Sequence, residues 1–298
     1  MMIPAPYPKE RVVFIVNPVS GSKRQKRIEE VVDKYLDKSR FSYKVLFTEE
    51  KGHASQIARQ AVKEGASIVV AVGGDGTVNE VGQGLVGKDT ALSIIPTGSG
   101  NGLARHLRLP LDFRKAIGII NQGKRQKIDT ATLNGALFLN MAGVGFDAHV
   151  ARKFEQASVR GFFSYFYIST SSYRKYKPKK YKILINGRVV KRRALLISFA
   201  NSSQFGNNAT IAPMASLEDG LIDVCILRKL PFWKIILLSP LVFNRKFYQT
   251  SYLEIIKARE VIVKRKKGKY IHLDGDPMIE RKTLTVKVHP LSLQVIIP

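Results

Sequence analysis

From residue 11 to about residue 130, short β-rich apolar runs alternate with polar amphipathic stretches. RVVFIVNP gives way to a basic helix-like stretch that ends near Lys38. SYKVLFT is followed by HASQIARQAVKEG, SIVVAV leads into a helical pattern after Gly76, and ALSIIPTG closes the series. Strand and helix repeated in this way predict a parallel sheet with helices on both faces. Ligands of such sheets gather at the carboxyl ends of the strands, where loops meet helix N-termini. Four consecutive strands end there in small or hydroxyl-bearing residues. The first ends in Asn17-Pro18-Val19-Ser20-Gly21-Ser22-Lys23, and the second in Thr48, ahead of Gly52-His53-Ala54. The third ends in Gly73-Gly74-Asp75-Gly76-Thr77 and the fourth in Pro96-Thr97-Gly98-Ser99-Gly100-Asn101. If the sheet is parallel, all four loops converge on one crevice.

Beyond about residue 130 the texture changes. ALFLNMAGVG, KYKILINGRVV, RALLISFAN, GLIDVCILRKL, EVIVKRKKG, YIHLDG and TLTVKVH lie close together with turn residues between many of them, which predicts an antiparallel sandwich or barrel. With 298 residues, 45% of them hydrophobic, the chain is long enough for two ordinary domains with real cores. We expect an α/β domain over 1–130, with 288–298 as candidates to return to it, and a β-domain over 131–287. Cys225 is the only cysteine, so neither an internal disulfide nor a cysteine-rich metal cage is available. MMIPAPYPKERVV has no basic-then-apolar leader, which points to the cytosol. FWKIILLSPLVF at 232–243 is broken by Lys234 and Pro240 and falls well short of the roughly 20 residues of a spanning helix. The net charge of +26 predicts attraction to a polyanion: nucleic acid, an anionic membrane or a phosphorylated substrate. No helix-turn-helix, paired-cysteine finger or aromatic RNA-binding consensus accompanies it, so a nucleic-acid reading rests on charge alone.

Gly82-Gln83-Gly84-Leu85-Val86-Gly87 matches a dinucleotide fingerprint, and Gly82 to Asp89 nearly matches a phosphate-binding P-loop. Context removes both. Val78, Val81 and Leu85 recur at helical spacing, which places these glycines within or at the end of a helix, and Asp89 stands where a serine or threonine should bind magnesium. The glycines at 73, 74 and 76 are different, because they follow a strand directly and enclose a carboxylate.

GGDGTVNE, preceded by NPVSGS and followed by IIPTGSGNGLAR, resembles the bacterial diacylglycerol-kinase-like lipid kinases, whose catalytic region is shared with eukaryotic diacylglycerol and sphingosine kinases. Nicotinamide-dinucleotide kinases and phosphofructokinases carry a similar glycine turn. APMASLEDGLIDV at 212–224 and HLDGDP at 272–277 extend the lipid-kinase resemblance over most of the chain. The resemblance implies an N-terminal α/β domain of nicotinamide-dinucleotide kinase and phosphofructokinase type, a C-terminal β-sandwich, and an active site in the cleft between them. It also implies that Asn17, Pro18, Val19, Ser20, Gly21, Thr48, Gly73, Gly74, Asp75, Gly76, Thr77, Val78, Asn79 and Thr97 line an ATP site. On this reading the glycine N–H groups meet the triphosphate, and Asp75 faces its Mg2+ directly or through water. The alternative for Asp75 is a turn residue capping the next helix.

Asp274 and Asp276 in LDGDP correspond to the family's source of a general base. The family pattern is usually Asp-Gly-Glu, so Asp276 is one methylene shorter and which carboxylate serves is open. An Asp-Gly hairpin turn is the alternative. Ser216, Asp219 and the carbonyl of Leu221 match a structural magnesium site of some members, a set of oxygen donors that could equally form a turn. His53 and His106 read as packing or hydrogen-bonding residues. For a lipid acceptor, GFFSYFYISTSSY at 161–173 and LPFWKIILLSPLVF are candidate apolar walls, with ordinary core as the alternative. The sequence does not select among diacylglycerol, monoacylglycerol, sphingoid bases, polyprenols and phosphatidylglycerol.

The expected activity is ATP- and Mg2+-dependent phosphorylation of a lipid hydroxyl. The expected location is cytoplasmic and peripheral to an anionic membrane surface, which SYRKYKPKKYK at 172–182 and the Lys234-to-Lys246 segment would contact. The basic tracts at 175–182 and 264–269 also read as solvated rims. The other function readings are a nicotinamide-dinucleotide kinase, a basic nucleic-acid-binding protein and a catalytically silent relative; a homodimer is left open.

Overall fold

In the strand β1 (Glu10–Val16), ERVVFIV, the last five residues are buried, the mark of a strand covered on both faces. It is followed by α1 (Ile28–Tyr35), β2 (Phe41–Phe47), α2 (His53–Lys63), β3 (Ile68–Gly73), α3 (Asp75–Leu85), β4 (Ala91–Pro96), α4 (Gly102–His106) and α5 (Phe113–Gln122). The computed structural model describes residues 9–21, 27–157 and 162–298, and only the backbone of 162–166. Residues 22–26, where the sequence predicts the basic helix to begin, and the first eight residues lie outside the described residues. Contacts divide the chain into two units. The first comprises the residues up to Thr97 with Arg108–Gln126 and Leu293–Pro298; the second comprises Gly98–Leu107 and Lys127–Ser292.

In the first unit the strands run parallel in the order β2-β1-β3-β4, with Val16 opposite both Phe47 and Val72 and Gly73 opposite Pro96. Val12, Phe14 and Val16 of β1 and Ile68, Val70 and Val72 of β3 pack with Ile28 and Val32 of α1 and Ile117 and Ile120 of α5. The intervening residues Val13, Ile15, Val69 and Ala71 are buried too, so both faces are covered as the alternation predicts. Gly84 in α3 comes so close to α2 that a Cβ there would stand 2.7 Å from the Cβ of Ala58. The decoy motif at 82–87 therefore lies in and just beyond α3, and its second glycine serves helix packing.

The second unit contains most of β5 (Arg125–Leu133), β6 (Ala136–Phe138), β7 (Met141–Gly145), α6 (Phe146–Glu155), α7 (Phe162–Tyr173), β8 (Lys179–Ile185), β9 (Arg188–Ala194), β10 (Leu196–Ala200) and β11 (Ile222–Leu227). It continues with α8 (Phe232–Phe243), β12 (Leu253–Ala258), β13 (Glu260–Arg265), β14 (Lys269–Leu273), β15 (Asp276–Glu280) and most of β16 (Thr283–Ile296). One antiparallel sheet has the order β12-β11-β10-β7-β14-β15; β16, β13, β8 and β9 form the other, with β5 and β6 alongside. Period-two alternation makes the sandwich: in β8, Tyr181, Ile183 and Ile185 are buried while Lys180, Lys182 and Leu184 are exposed. Phe138, Ile197, Phe199, Val224, Val261, Ile271 and Leu284 complete this core. The parallel α/β region and the antiparallel sandwich are both as the sequence predicts.

The segment at 232–243 differs from a core helix. None of the residues of α8 is buried, and Trp233, Ile236, Leu237 and Phe243 are exposed. In α7, Tyr173 is buried, and its hydroxyl donates to the Leu230 carbonyl at 2.7 Å. No helix among the described residues is long and apolar enough to cross a membrane.

Candidate active site

Parallel pairing brings the strand ends of the first unit to one edge, and the backbone then ties their loops together. The Asn17 N–H donates to the Val72 carbonyl at 3.0 Å, the Thr48 N–H to Val16 at 2.9 Å and the Thr97 N–H to Gly73 at 2.9 Å. Side chains continue the lattice. Asn17 Nδ2 donates to Thr77 Oγ1 at 3.1 Å, Asn17 Oδ1 accepts from the Val19 N–H at 3.1 Å, and the hydroxyls of Ser20 and Thr97 are 2.7 Å apart. Gly21 has φ +63°, and a Cβ there would run into the Thr97 carbonyl; one on Gly73 would run into the Thr77 side chain. Both glycines are demanded by close approach, without reference to a ligand.

Asp75 opens α3 behind Gly74, an N-cap with extended backbone and no capping side chain. The first N–H groups of a helix have no acceptor within it and carry the positive end of its dipole, which suits an anion at this turn. Gly74, Asp75 and Gly76 are all half-buried. Of the predicted lining residues, Asn17, Ser20, Gly21, Gly73, Thr77 and Thr97 make the direct contacts above, and Pro18 belongs to the same turn. Val19 is exposed and Val78 is buried on α3. The Asn79 side chain accepts from Gln83 Nε2 at 2.7 Å.

In the second unit, Asp274 and Gly275 form the tip of the β14–β15 hairpin, with φ +48° and +94° and with Leu273 opposite Asp276. Two successive positive φ values suit Asp-Gly, so the hairpin alternative describes the backbone correctly. The two carboxylates diverge in environment. Asp274 is buried, its Oδ2 accepting from the Leu139 N–H at 2.8 Å and its Oδ1 from the Asn140 and Met141 N–H groups at 2.9 Å each. Asp276 is exposed at the start of β15. Asp274 is thus built into the backbone of 139–141, whereas Asp276 faces solvent. His272 from the same motif sits in a buried cluster that sequence reading missed: Asp147 Oδ2 receives the Ser198 hydroxyl at 3.0 Å and lies 3.2 Å from His272 Nε2. Only the topology, pairing β7 with β10 and β14, unites these residues.

The 216–221 loop is held by two further residues without a local sequence signal. Buried Asp129 accepts the Gly220 N–H at 2.7 Å and donates its own N–H to the Leu217 carbonyl at 2.6 Å. Lys257 Nζ reaches Asp219 Oδ2 at 2.8 Å and the Met214 carbonyl at 3.2 Å, and stands 3.2 Å from Asp223 Oδ1 at ion-pair range. Asp219 Oδ1 accepts the Leu221 N–H at 3.1 Å, and Ser216 Oγ accepts that of Glu218 at 3.2 Å. Burial lowers the Lys257 pKa, but Asp219 and Asp223 outweigh it and hold the ammonium above its ordinary value. Both oxygens of Asp219 are engaged, one by an ammonium, so Ser216, Asp219 and Leu221 as arranged do not fit a divalent ion. His53 and His106 make hydrogen bonds: His53 Nδ1 accepts the Glu49 N–H at 3.2 Å, and His106 Nδ1 lies 2.9 Å from Ser203 Oγ.

The diacylglycerol kinase catalytic domain model matches residues 11–133, and the model for the YegS C-terminal NAD kinase beta sandwich-like domain matches 140–297, just over half of the chain by itself. The chain belongs to the diacylglycerol kinase family. A diacylglycerol kinase of Bacillus subtilis (strain 168) is 27% identical over 275 residues, covering 90% of each chain. One from Staphylococcus saprophyticus is 30% identical over 225 residues and covers 74% of each. A crystal structure of a diacylglycerol kinase candidate from Bacillus anthracis str. Sterne superposes over 100% of this chain and 98% of its own with a TM-score of 0.79, at 22% identity, which supports the fold. These relatives span both units.

Proposed function

We propose that this chain is an ATP-dependent lipid kinase that phosphorylates a lipid hydroxyl, most simply that of diacylglycerol, at a membrane surface. The observation that carries this reading is the glycine turn at the head of α3, beside the hydroxyls of Ser20, Thr77 and Thr97 and with the Asp75 carboxylate at its centre. Phosphoryl transfer needs positioning and charge neutralisation more than covalent chemistry. Backbone N–H groups at Gly74 and Gly76 hold the triphosphate, while Gly73, paired to β4, sets the turn, and the surrounding hydroxyls orient the phosphates. Oxygen donors are what Mg2+ requires, and one or two carboxylates with phosphate oxygens suffice, so Asp75 fits the ion that travels with ATP. That ion would neutralise charge on the transferred group. Among the described residues no cluster of three or more His, Cys, Asp or Glu offers a separate cage.

The acceptor hydroxyl attacks the γ-phosphorus, the bond from that phosphorus to the bridging oxygen of ADP breaks, and the hydroxyl proton passes to Asp276. Asp274, with its oxygens committed to 139–141, acts as the residue that sets the hairpin. The exposed apolar residues of α8 support a peripheral encounter with the membrane that holds the acceptor. The test is transfer from γ-labelled ATP by the purified protein to a panel of diacylglycerol, monoacylglycerol, sphingoid base, polyprenol and phosphatidylglycerol, with nicotinamide dinucleotide as a soluble control. Label should enter diacylglycerol or a related lipid. Transfer to the dinucleotide alone, or to nothing while ATP still binds, would overturn the proposal.

A further inference from the structure

The sandwich unit contains a cavity of about 330 Å³ whose lining includes six cations: Lys179, Lys180, Arg265, Lys266, Lys267 and Lys269. No carboxylate lines it, and none of the six makes an ion pair among the described residues. Burial, then the charges of Lys269 and Arg265, hold Lys179 below the ordinary lysine pKa. Arg265 fixes the rim. Its Nη2 donates to the carbonyls of Lys269 and Glu280 at 2.8 Å each and of Arg281 at 3.0 Å, and its Nη1 donates to Tyr270 at 3.2 Å. These bonds use most of its donors on the hairpin, so Arg265 contributes field and shape more than contacts.

The wall holds an unanswered donor. Tyr181 is 3% exposed, and among the described residues its hydroxyl has no hydrogen-bond partner, nor does the buried Tyr176 hydroxyl. Lys179 Nζ lies 5.1 Å from the centre of the Tyr176 ring. Burial raises the pKa of both phenols, which therefore remain O–H donors through the physiological range. Asp147, close enough to act on both electrostatically, is occupied by the Ala148 N–H, Ser198 and His272. Gly145, with φ +119°, packs against the Leu195 and Leu196 backbone, where a Cβ would stand 2.6 Å from the Leu195 carbonyl oxygen and 3.3 Å from the Tyr181 hydroxyl, so this cavity-lining residue lies beside that hydroxyl. A buried unsatisfied donor is unfavourable, and so is the half-buried Lys179 ammonium set against the like charges of Lys269 and Arg265. One ligand with several strong acceptor oxygens and negative charge relieves both.

We infer that this cavity is a phosphate-binding site, taking a phosphate ester or the phosphate of an anionic lipid headgroup, with Tyr181 donating its O–H and Lys179 and Lys269 their ammonium protons. The inference does not rest on the kinase reading, because no catalytic residue proposed above lines the cavity. Full-length protein labelled with 15N is titrated with inorganic phosphate at low ionic strength, and the Gly145 amide resonance reports on the site. Saturable movement is expected in wild type, weakened roughly tenfold or more in Lys179→Gln/Lys269→Gln and in Tyr181→Phe, as for hydrogen bonds to a charged group. Tyr181→Phe should melt no lower than wild type, since it removes only an unpaired hydroxyl. Vesicles of phosphatidylcholine with and without phosphatidylglycerol separate the sources. Loss of both phosphate binding and preference for phosphatidylglycerol in the double variant assigns a headgroup; loss of phosphate binding alone assigns a soluble phosphate ester. A Gly145 resonance that phosphate leaves in place, or moves equally in wild type and both variants, overturns the site.

Discussion

Asp274 and Asp276 stand two residues apart in different environments, one buried and one exposed, and substitution should separate the roles proposed for them. Asp274→Asn weakens a carboxylate that receives three buried N–H groups. It should cost about 2–4 kcal/mol of stability, seen as a lowered Tm, because hydrogen bonds to a charged group contribute about 1.5–3 kcal/mol each and an amide retains part of them. Asp276→Asn should melt like wild type yet lose about 10²–10⁴-fold in kcat, the usual contribution of a general base, while Asp276→Glu keeps or raises activity. If both Asn variants remain fully active, the base lies elsewhere. Asp75→Ala, at the head of α3, should abolish transfer with little change in melting; wild-type turnover by that variant would remove Asp75 from any role in holding Mg2+. Lys257 offers a different test. With its ammonium between Asp219 and Asp223, wild-type melting should be indifferent to chelator, and Lys257→Met should cost about 1–3 kcal/mol through the carboxylates left unpaired. Added Mg2+ or Ca2+ should restore part of that loss in the variant. A chelator-induced drop in the wild-type Tm would show instead that the loop needs a metal.

At the scale of elements, the parallel sheet was legible because its signal is local: each strand of the first unit is a short β-rich run and each helix a periodic one. Once the order is parallel, Asn17, Thr48, Gly73 and Thr97 must arrive at one edge, and the N–H groups of Asn17, Thr48 and Thr97 each bond to an adjacent strand there. The sandwich was legible in short strand-like runs set close together with turn residues between many of them, and strands such as β8 show the alternation that builds its core. What stayed hidden depends on partners far along the chain. Nothing near LDGDP announces that Asp274 will hold residues 139–141, nor does ASLEDGLIDV announce Asp129 and Lys257. The short segment Gly98–Leu107 belongs with the sandwich unit through contacts such as Gly102 against the Asn140 amide, again without a local mark. The false fingerprint at 82–87 yields the prediction of this scale. Gly84 faces Ala58 where two helices nearly touch. Gly84→Val should push α2 and α3 apart and cost about 1–3 kcal/mol, the usual penalty of overpacking, measured by chemical denaturation. A variant as stable as wild type would mean that the contact is loose and that the glycine has another reason to be there.

For the whole molecule the question is how a chain without a described membrane-crossing helix would meet the lipid acceptor proposed for it. Two features point the same way. The net charge is +26, and each Lys or Arg near an anionic leaflet contributes about 1 kcal/mol, decaying within a Debye length. α8 adds an apolar component: Trp233, Ile236, Leu237, Pro240 and Phe243 recur at helical spacing and are all exposed, with Arg245 and Lys246 just beyond the helix. Charge alone would bring the protein to any polyanion, whereas an exposed Trp, Leu and Phe face gains free energy only by entering an apolar phase. Binding to vesicles should therefore rise with anionic lipid content and fall steeply with salt. Trp233→Ser/Leu237→Ser should weaken it by tenfold or more, since each buried side chain of this size contributes about 1.5–3 kcal/mol. The same variant should phosphorylate detergent-dispersed lipid at the wild-type rate and lose activity only on vesicles, because α8 holds none of the proposed catalytic residues. Equal cosedimentation of wild type and variant, or equal binding to neutral and anionic vesicles, would show that this helix and this charge serve another partner.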